Sequence, residues 1–253
     1  MEVVDCIWEI TNLGRKTVEI TIEDKDEVYD DNEIISLYKS YDYVVFKVPM
    51  MKTDFNTLFT RLGFVMIEVQ MNMVIHPESF NYGLLSEYYD NIFFKDVEGK
   101  CVDHVCERIT PDMFSTDRIS IDKQYGPVIG MRRYQNWIKS EIEKGTARLV
   151  TVFYKNKEVG FMLYRLKDKI FTLLLNGLYK EWQGKRLGII TPASPLLLIR
   201  KNNIDVDRIE TCISSNNIPV VKLYDRLGYN FHAMKYVYVK HEIGGCPLAA
   251  KIN

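Results

Sequence analysis

One short segment of the chain places a phenol on a helix whose two ends are both marked in the sequence. Pro219 suits a first helical turn, and Gly228 suits the left-handed position that follows a last turn. Four apolar residues recur at intervals of three and four, namely Val220, Leu223, Tyr224 and Leu227. Asn217 lies about two helical turns before Tyr224, so both can face one groove. Tyr224 is then either a packing residue or a proton donor.

A second segment has the order strand, glycine-containing loop, helix. Residues 170–175 form an apolar run of strand length, and an apolar segment covers residues 189–200 after the loop. Backbone amides of such a loop, at the start of a helix, form a site for a phosphate or pyrophosphate. Lys185 and Arg186 would add positive charge there. The alternative is an ordinary strand-to-helix turn with solvated basic residues.

Taken together and in this order, the two segments resemble the GNAT superfamily of acyl-CoA-dependent N-acetyltransferases. The loop of that family reads Gln/Arg-x-x-Gly-x-Gly/Ala. Gln183 and Gly188 match this pattern, and Arg186 stands where the first glycine is expected. The second family motif is Asn, then Tyr seven residues later, then Leu-Gly-Phe/Tyr, and it is matched at Asn217, Tyr224 and Gly228.

This resemblance implies that acetyl-CoA is the co-substrate. It makes Tyr224 the general acid that protonates the departing CoA thiolate, and the amide of Leu178 the group that holds the acetyl carbonyl. It makes Asn217 either a partner of the pantetheine arm or a support for the helix start. The resemblance places the pyrophosphate over the amides of one loop, which consists of Gln183, Gly184, Lys185, Arg186, Leu187, Gly188 and Ile189.

These residue types suit acetyl transfer through a tetrahedral intermediate. The reaction needs a neutral amine, a donor for the oxyanion and a proton for the sulfur. A tyrosine with a pKa of about 10 is able to protonate a thiolate of somewhat lower pKa in a dry site. The pair Asn176 and Gly177, at the end of an apolar strand, predicts a bulge that turns backbone amides toward a ligand.

The order of the remaining patterns predicts an α/β fold, a GNAT-like mixed sheet flanked by helices. Helices are predicted at residues 100–109 and 131–144. Strands are predicted at residues 91–97, 147–154, 159–166, 209–213 and 231–240.

The N-terminal part repeats the tyrosine helix in a degenerate form. Residues 58–64 read Leu-Phe-Thr-Arg-Leu-Gly-Phe, and residues 223–229 read Leu-Tyr-Asp-Arg-Leu-Gly-Tyr. Strands are predicted on both sides of this copy, at residues 43–48 and at Val65–Ile75. Phe59 has no proton to give, and no counterpart of the Gln183 loop precedes it. We therefore predict a degenerate GNAT-like domain at residues 1–85 and a catalytic domain at residues 86–253.

Three further segments resemble the dTDP-fucosamine acetyltransferase type, which acetylates the amine of a nucleotide-linked amino sugar. They are residues 8–15, 114–122 and 134–137. By this resemblance Glu68 lies near the acceptor amine as a base or as a carboxylate that orients the amine through water. The alternative interpretation places Glu68 on the polar, outward face of an alternating strand.

Composition narrows the class of protein. A net charge of −1 gives no electrostatic footprint for nucleic acid or for a membrane surface. The five cysteines are scattered, and the N-terminus carries no apolar secretory stretch, so a cytoplasmic location is expected. Cys101, His104 and Cys106 lie close together, but no second cluster completes a zinc site, and no metal is expected. His232, just beyond the tyrosine helix, is a reserve site residue.

Two other functions stay open at the level of sequence. One is a catalytically silent acyl-CoA-binding or scaffold domain, which is suggested by Arg186 at the glycine position. The other is an acetyltransferase whose acceptor is an amino acid, a peptide or a polyamine. Neither the acceptor sugar and nucleotide nor the presence of a homodimer follows from the sequence.

Overall fold

A computed structural model describes residues 1–27 and 30–242 of the chain. It contains the strands β1 (Glu2–Asp5), β2 (Thr17–Thr21), β3 (Tyr43–Pro49), β4 (Val65–Ile75), β5 (Ile92–Asp96), β6 (Arg148–Tyr154), β7 (Lys157–Lys167), β8 (Ile170–Leu178), β9 (Arg208–Ser214) and β10 (Asn230–His241). The helices are α1 (Trp8–Leu13), α2 (Asp31–Tyr38), α3 (Thr53–Arg61), α4 (Ser86–Tyr89), α5 (Cys101–Glu107), α6 (Arg118–Ile121), α7 (Pro127–Glu143), α8 (Ile190–Asn202) and α9 (Ile218–Arg226).

The chain folds into two compact units that are not contiguous in sequence. The first unit consists of Met1–Met71, Ser214–Asn216 and, among the described residues, those from Ala233 to Glu242. The second unit consists of Asn72–Ile213 and Asn217–His232. The sequence predicts two contiguous domains, 1–85 and 86–253, whereas the compact first unit includes most of the last strand.

The first unit has a mixed sheet with helices α1 to α3. β1 pairs antiparallel with β2, β2 pairs parallel with β3, and β3 pairs antiparallel with β10. The core is dominated by aromatic rings, and Phe46 stacks on Phe59 with ring centroids 4.2 Å apart. Phe59, which corresponds to Tyr224 in the repeated segment, is therefore a fully buried packing residue.

The second unit contains an antiparallel meander of β5, β6, β7 and β8, followed by β9, which pairs parallel with β8. Two tight turns connect the meander around β7. Lys155 and Asn156 in one turn, and Asp168 and Lys169 in the other, all have positive φ angles. Two successive left-handed residues define the type I′ turn, whose twist matches that of antiparallel strands.

Helix α8 is the central helix of the second unit. Nearly every residue from Ile190 to Ile199 is buried, including Pro195 inside the helix. A helix that is apolar all round belongs in a protein core. Helices α5 and α7 contribute Val105 and Ile138 to a separate core cluster with strands β6 to β8.

The predicted elements agree closely with the structure. The strand Val65–Ile75 has the predicted bounds, and the other predicted strands and helices are present with ends shifted by a few residues. The fold class, a mixed sheet flanked by helices, is confirmed. Within the described residues, no helix has both the length and the apolar character needed to cross a membrane.

The predicted repeat of the tyrosine helix also exists in three dimensions. Gly63 after α3 has φ +79°, and Gly228 after α9 has φ +78°. The amide of Phe64 donates to the carbonyl of Phe59 at 2.9 Å, and the amide of Tyr229 donates to the carbonyl of Tyr224 at 3.1 Å. Both helices thus end in the same left-handed cap, which requires glycine.

Candidate active site

Strands β8 and β9 part from each other halfway along their length. They pair in parallel from Ile170 with Arg208 to Leu173 with Thr211, and the pairing ends there. β8 nevertheless continues to Leu178. Beyond Leu173 this edge of β8 is therefore open to a ligand, because its backbone groups no longer bond to β9.

A bulge lies where the strands part, but not where the sequence predicts it. Leu163 pairs with Leu175 and Tyr164 pairs with Leu173, so Leu174 is the extra residue of β8. The prediction of a bulge at Asn176 and Gly177 is wrong, since both residues pair regularly with β7. An Asn-Gly pair favours irregular backbone only where pairing does not supply the hydrogen bonds, and here β7 supplies them.

The open edge carries the amide of Leu178. The amide of the next residue, Tyr179, donates to the carbonyl of Val159 on β7 at 2.9 Å. Because amides along a strand alternate in direction, the amide of Leu178 is directed away from β7. It lies on the edge of β8 that no longer pairs with β9. A carbonyl oxygen between the strands could accept this hydrogen bond.

The loop after β8 closes on itself before helix α8 begins. The amide of Trp182 donates to the carbonyl of Tyr179 at 2.9 Å, and the side chain of Gln183 donates to the carbonyl of Leu178 at 3.1 Å. The ammonium group of Lys185 lies 4.8 Å from the ring centre of Trp182. Gln183 thus ties the predicted phosphate loop to the end of β8.

Arg186 has a left-handed backbone conformation, which glycine adopts most easily. Its φ angle is +61°, and that of Gly184 is +72°. For a residue with a side chain this left-handed conformation costs about 1–2 kcal/mol. The loop therefore places an arginine in a conformation that favours glycine, at the expense of local strain.

Gly188 and Ile189 lead from the loop into α8. A Cβ atom added to Gly188 would lie 3.3 Å from Cδ1 of Leu223 on α9, which is a tight contact. The absence of a side chain at Gly188 thus lets the start of α8 approach α9. Leu187 is half-buried beside these residues.

Tyr224 lies at the point where β8 and β9 part. Its side chain is only 2% exposed, and its phenol forms hydrogen bonds with Thr211 and Asn176. Thr211 is the last residue of β9 that pairs with β8, and it donates a hydrogen bond to the carbonyl of Leu173 at 3.1 Å. Burial raises the pKa of Tyr224 well above its ordinary value, an effect that the two hydrogen bonds oppose. The phenol is therefore protonated at neutral pH.

Two asparagines hold the elements around Tyr224. The side chain of Asn217 accepts a hydrogen bond from the amide of Val220 at 3.4 Å and caps α9. This contact is the helix-supporting role that the resemblance offered for Asn217. The side chain of Asn176 donates to the carbonyl of Thr191 in the first turn of α8 at 2.6 Å. Neither Asn176 nor Thr211 could be selected from sequence, because their role depends on the strand pairing.

Glu68 lies on β4, in the first unit, and is only 8% exposed. Its neighbour Met66 is half exposed on the same strand. The alternative interpretation of Glu68 as part of a solvated polar face is therefore not supported. His232, the reserve residue, is exposed on β10. Among the described residues, no group of three or more metal-ligating side chains could hold a metal ion.

The first unit has no equivalent opening in its own parallel strand pair. β2 and β3 pair from Thr17 with Tyr43 through Thr21 with Lys47, which is the full length of β2. Phe59, which corresponds to Tyr224 in the repeated segment, stacks on Phe46 of β3. That the N-terminal copy does not run the reaction stays a prediction.

Comparison with known proteins identifies the fold. No protein-family model and no curated protein matches the sequence. A solved protein of unknown function from Staphylococcus epidermidis is 16% identical, with a TM-score of 0.58 over 90% of this chain and 85% of that chain. A GCN5-related N-acetyltransferase from Sphaerobacter thermophilus is 13% identical, with a TM-score of 0.56 over 86% of this chain and 66% of that chain.

A tandem GNAT protein from the clavulanic acid biosynthesis pathway is also similar. It is 10% identical, with a TM-score of 0.56 over 92% of this chain and 77% of that chain. At these identities the similarity shows the fold, so the chain has the fold of GCN5-related N-acetyltransferases. The names of these proteins do not point to a dTDP-fucosamine acetyltransferase.

Proposed function

We propose that the protein is an acetyl-CoA-dependent N-acetyltransferase. The observation that carries this proposal is the position of the Tyr224 phenol, which bonds to Thr211 and Asn176 where β8 and β9 part. A thioester between the strands would meet an amide of β8 on one side and a protonated phenol on the other. The fold similarity to named N-acetyltransferases supports an amine as the acceptor.

The proposed reaction is a direct transfer. The amide of Leu178 holds the thioester carbonyl and stabilises the oxyanion when the neutral amine attacks. The carbon–nitrogen bond forms, the tetrahedral intermediate collapses and the carbon–sulfur bond breaks. Tyr224 gives its proton to the CoA thiolate and is reprotonated from solvent. The proton that the nitrogen loses passes to Glu68 or to water, which leaves the neutral amide product.

The proposed cofactor contacts lie on the loop from Gln183 to Ile189. Backbone amides at the start of α8 suit the pyrophosphate of acetyl-CoA, because a helix start attracts anions. Lys185 and Arg186 are exposed and add positive charge. The left-handed conformation of Arg186 keeps the glycine-like path that the loop requires, which favours a binding loop over a disabled one.

For the acceptor we propose a nucleotide-linked amino sugar of the dTDP-4-amino-6-deoxyhexose type. The support is the resemblance of residues 114–122 and 134–137, together with the burial of Glu68. A buried carboxylate is suited to accept a proton from an amine or to orient it through water. An amino acid, a peptide or a polyamine is the competing acceptor class.

The test is calorimetric titration with acetyl-CoA, followed by measurement of thiol release with a panel of amines. We expect acetyl-CoA to bind and the amino sugar nucleotide to release thiol, whereas its 4-hydroxy analogue should give no N-acetyl product. No binding at millimolar acetyl-CoA would remove the proposal. Binding without turnover on any amine would favour the silent acyl-CoA-binding domain, and turnover on a polyamine alone would correct the acceptor.

A further inference from the structure

One arginine joins the end of β8, the start of β7 and the turn that leads into the phosphate loop. Arg108, at the C-terminal end of α5, stacks over the ring of Tyr179 with 3.4 Å between its guanidinium carbon and the ring centre. It forms ion pairs with Glu158 at 2.7 Å and with Glu181 at 2.5 Å. The side chain of Arg108 is only 24% exposed.

The three partners of Arg108 surround the residues that the proposed function uses. Tyr179 directly follows Leu178, whose amide is directed to the open edge of β8. Glu181 belongs to the short turn Lys180–Trp182, and Gln183 follows that turn. Glu158 is the second residue of β7, the strand that pairs with the end of β8. A movement of the guanidinium would therefore displace both Leu178, which is proposed to hold the acyl group, and the loop that is proposed to hold the pyrophosphate.

The shape of the arginine side chain suits this arrangement. Tyr179 is fully buried, and its ring is the surface on which the guanidinium lies. The planar guanidinium stacks and forms two ion pairs at the same time, which a lysine ammonium cannot do with equal geometry. A weaker ion pair between Lys180 and Asp112, at 3.6 Å and well exposed, joins the same segments.

We infer that Arg108 is a positioning residue that holds the end of β8 and the turn before the phosphate loop in the form that binds acyl-CoA. This inference rests on the proposed function. Arg108 acts through Tyr179 and Glu181, and it touches neither the acyl group nor the amine. Because Arg108 already restricts the loop before binding, the loop loses less conformational entropy when the pyrophosphate binds.

The first test compares the parent with Arg108→Met and with a matched control, Arg165→Met. Arg165 forms an ion pair with Glu141 at 3.0 Å within the same unit but outside the loop. We expect Arg108→Met to weaken binding of both CoA and acetyl-CoA about tenfold. The KM for acetyl-CoA should rise by the same factor while the KM for the amine is unchanged. Arg165→Met should change neither constant.

The second test asks whether Arg108 acts through Glu181. Glu181→Gln should weaken CoA binding in the same direction, and the double variant should be no weaker than Arg108→Met alone, because both changes remove one interaction. Arg108→Lys should bind CoA with an affinity between those of the parent and Arg108→Met. Additive losses in the double variant would overturn the inferred route through Glu181.

Hydrogen exchange separates this inference from the proposed function. Amides of residues 179–188 should exchange faster in Arg108→Met than in the parent or in Arg165→Met, without any ligand present. Equal exchange and equal CoA affinity in Arg108→Met and the parent would overturn the inference alone. A parent that does not bind CoA would overturn the proposed function, whereas the exchange result would still show whether Arg108 holds the loop.

Discussion

At the residue scale, the central question is whether the buried phenol of Tyr224 does chemistry or only packs. Tyr224→Phe removes the hydroxyl and keeps the ring that contacts Tyr229, with centroids 4.7 Å apart. We expect turnover to fall about a hundredfold, because a positioned proton donor contributes at least that factor. Acetyl-CoA affinity should stay nearly unchanged. Steady-state kinetics and calorimetric titration measure the two quantities.

The control for Tyr224 is Tyr229→Phe. The hydroxyl of Tyr229 is equally buried and donates to the carbonyl of Pro192 at 3.1 Å, so its loss reports the structural cost of removing a buried phenol here. If Tyr224→Phe turns over like the parent, Tyr224 is a packing residue and water protonates the thiolate.

The burial of Tyr224 also predicts how the free energy of unfolding should change at high pH. Since burial raises the folded-state pKa of Tyr224, its contribution to folding is fully present below the unfolded-state pKa of about 10 and is lost as pH rises toward the folded-state value. The free energy of unfolding of the parent should therefore fall more steeply above pH 10 than that of Tyr224→Phe. Urea denaturation from pH 8 to pH 11 measures this difference, and parallel curves would contradict it.

Arg186 offers a second prediction at this scale, concerning strain. Its left-handed backbone suits glycine, so Arg186→Gly should stabilise the fold by about 1 kcal/mol. Acetyl-CoA affinity should change less than about threefold, because an exposed charge contributes little and the loop path is retained. Lys155→Gly, at another exposed left-handed residue, should give a similar stability gain with no effect on binding. A large loss of affinity in Arg186→Gly would mean that the arginine side chain itself holds the ligand.

At the residue scale, the sequence could predict which residues belong to the two motifs. Their order along the chain is a local property, and Gln183, Asn217 and Tyr224 could be named from it. The importance of Asn176, Thr211 and Arg108 could not, because their partners are distant in sequence. Arg108 meets Glu158 and Glu181 only after the end of α5 packs against the meander. Nothing in the local pattern around Arg108 indicates these pairs.

At the element scale, the contact between the start of α8 and α9 depends on a missing side chain. Gly188→Val would bring side-chain atoms against Leu223, whose Cδ1 lies 3.3 Å from the position of an added Cβ. We expect acetyl-CoA binding to weaken about tenfold as the start of α8 moves away from α9. Titration of the variant measures the loss.

A compensating change tests the cause of that loss. Adding Leu223→Ala to Gly188→Val removes the side chain that the valine meets, so affinity should recover in part. No recovery would mean that the valine meets the phosphate directly. The neighbour that a side chain at this position would meet is Leu223 of α9.

Elements were predicted well where their signals are local. The bounds of β4 and the left-handed caps at Gly63 and Gly228 follow from alternation and from glycine at a helix end. The bulge was misplaced because an Asn-Gly pair marks a turn only when the neighbouring strand does not supply its hydrogen bonds. The neighbour β7 does supply them at Asn176 and Gly177, and the irregularity falls at Leu174, where parallel pairing ends.

At the scale of the whole molecule, the pairing of the last strand is what the sequence could not predict. Residues 235–241 of β10 pair with β3, so the end of the chain completes the sheet of the first unit. Such pairing is set by contacts between segments nearly two hundred residues apart, which no local pattern encodes. The sequence did predict the repeat, since β3, α3 and β4 copy β9, α9 and β10 element by element.

The last prediction concerns Glu68, which lies in the first unit. That unit contains the degenerate repeat in which Phe59 stands at the position of Tyr224. The first unit pairs β2 fully with β3, and the residue that corresponds to Tyr224 is Phe59, which has no hydroxyl to donate a proton. The carboxylate of Glu68 on β4 is only 8% exposed, so it is held away from bulk water. We propose that Glu68 accepts a proton from the acceptor amine or orients that amine through water.

Glu68→Gln should then lower turnover at neutral pH about tenfold or more and move the acidic limb of the pH–rate profile, because the carboxylate is the group that must be ionised there. Acetyl-CoA binding should stay intact, since the change does not touch the loop from Gln183 to Ile189. The control is Glu19→Gln, which removes a partly buried carboxylate that pairs with Lys47 in the same unit. Equal stability losses in both variants, with a changed pH–rate profile only in Glu68→Gln, would assign the effect to chemistry. An unchanged profile in Glu68→Gln would leave Glu68 as a structural residue of β4 and would make water the base.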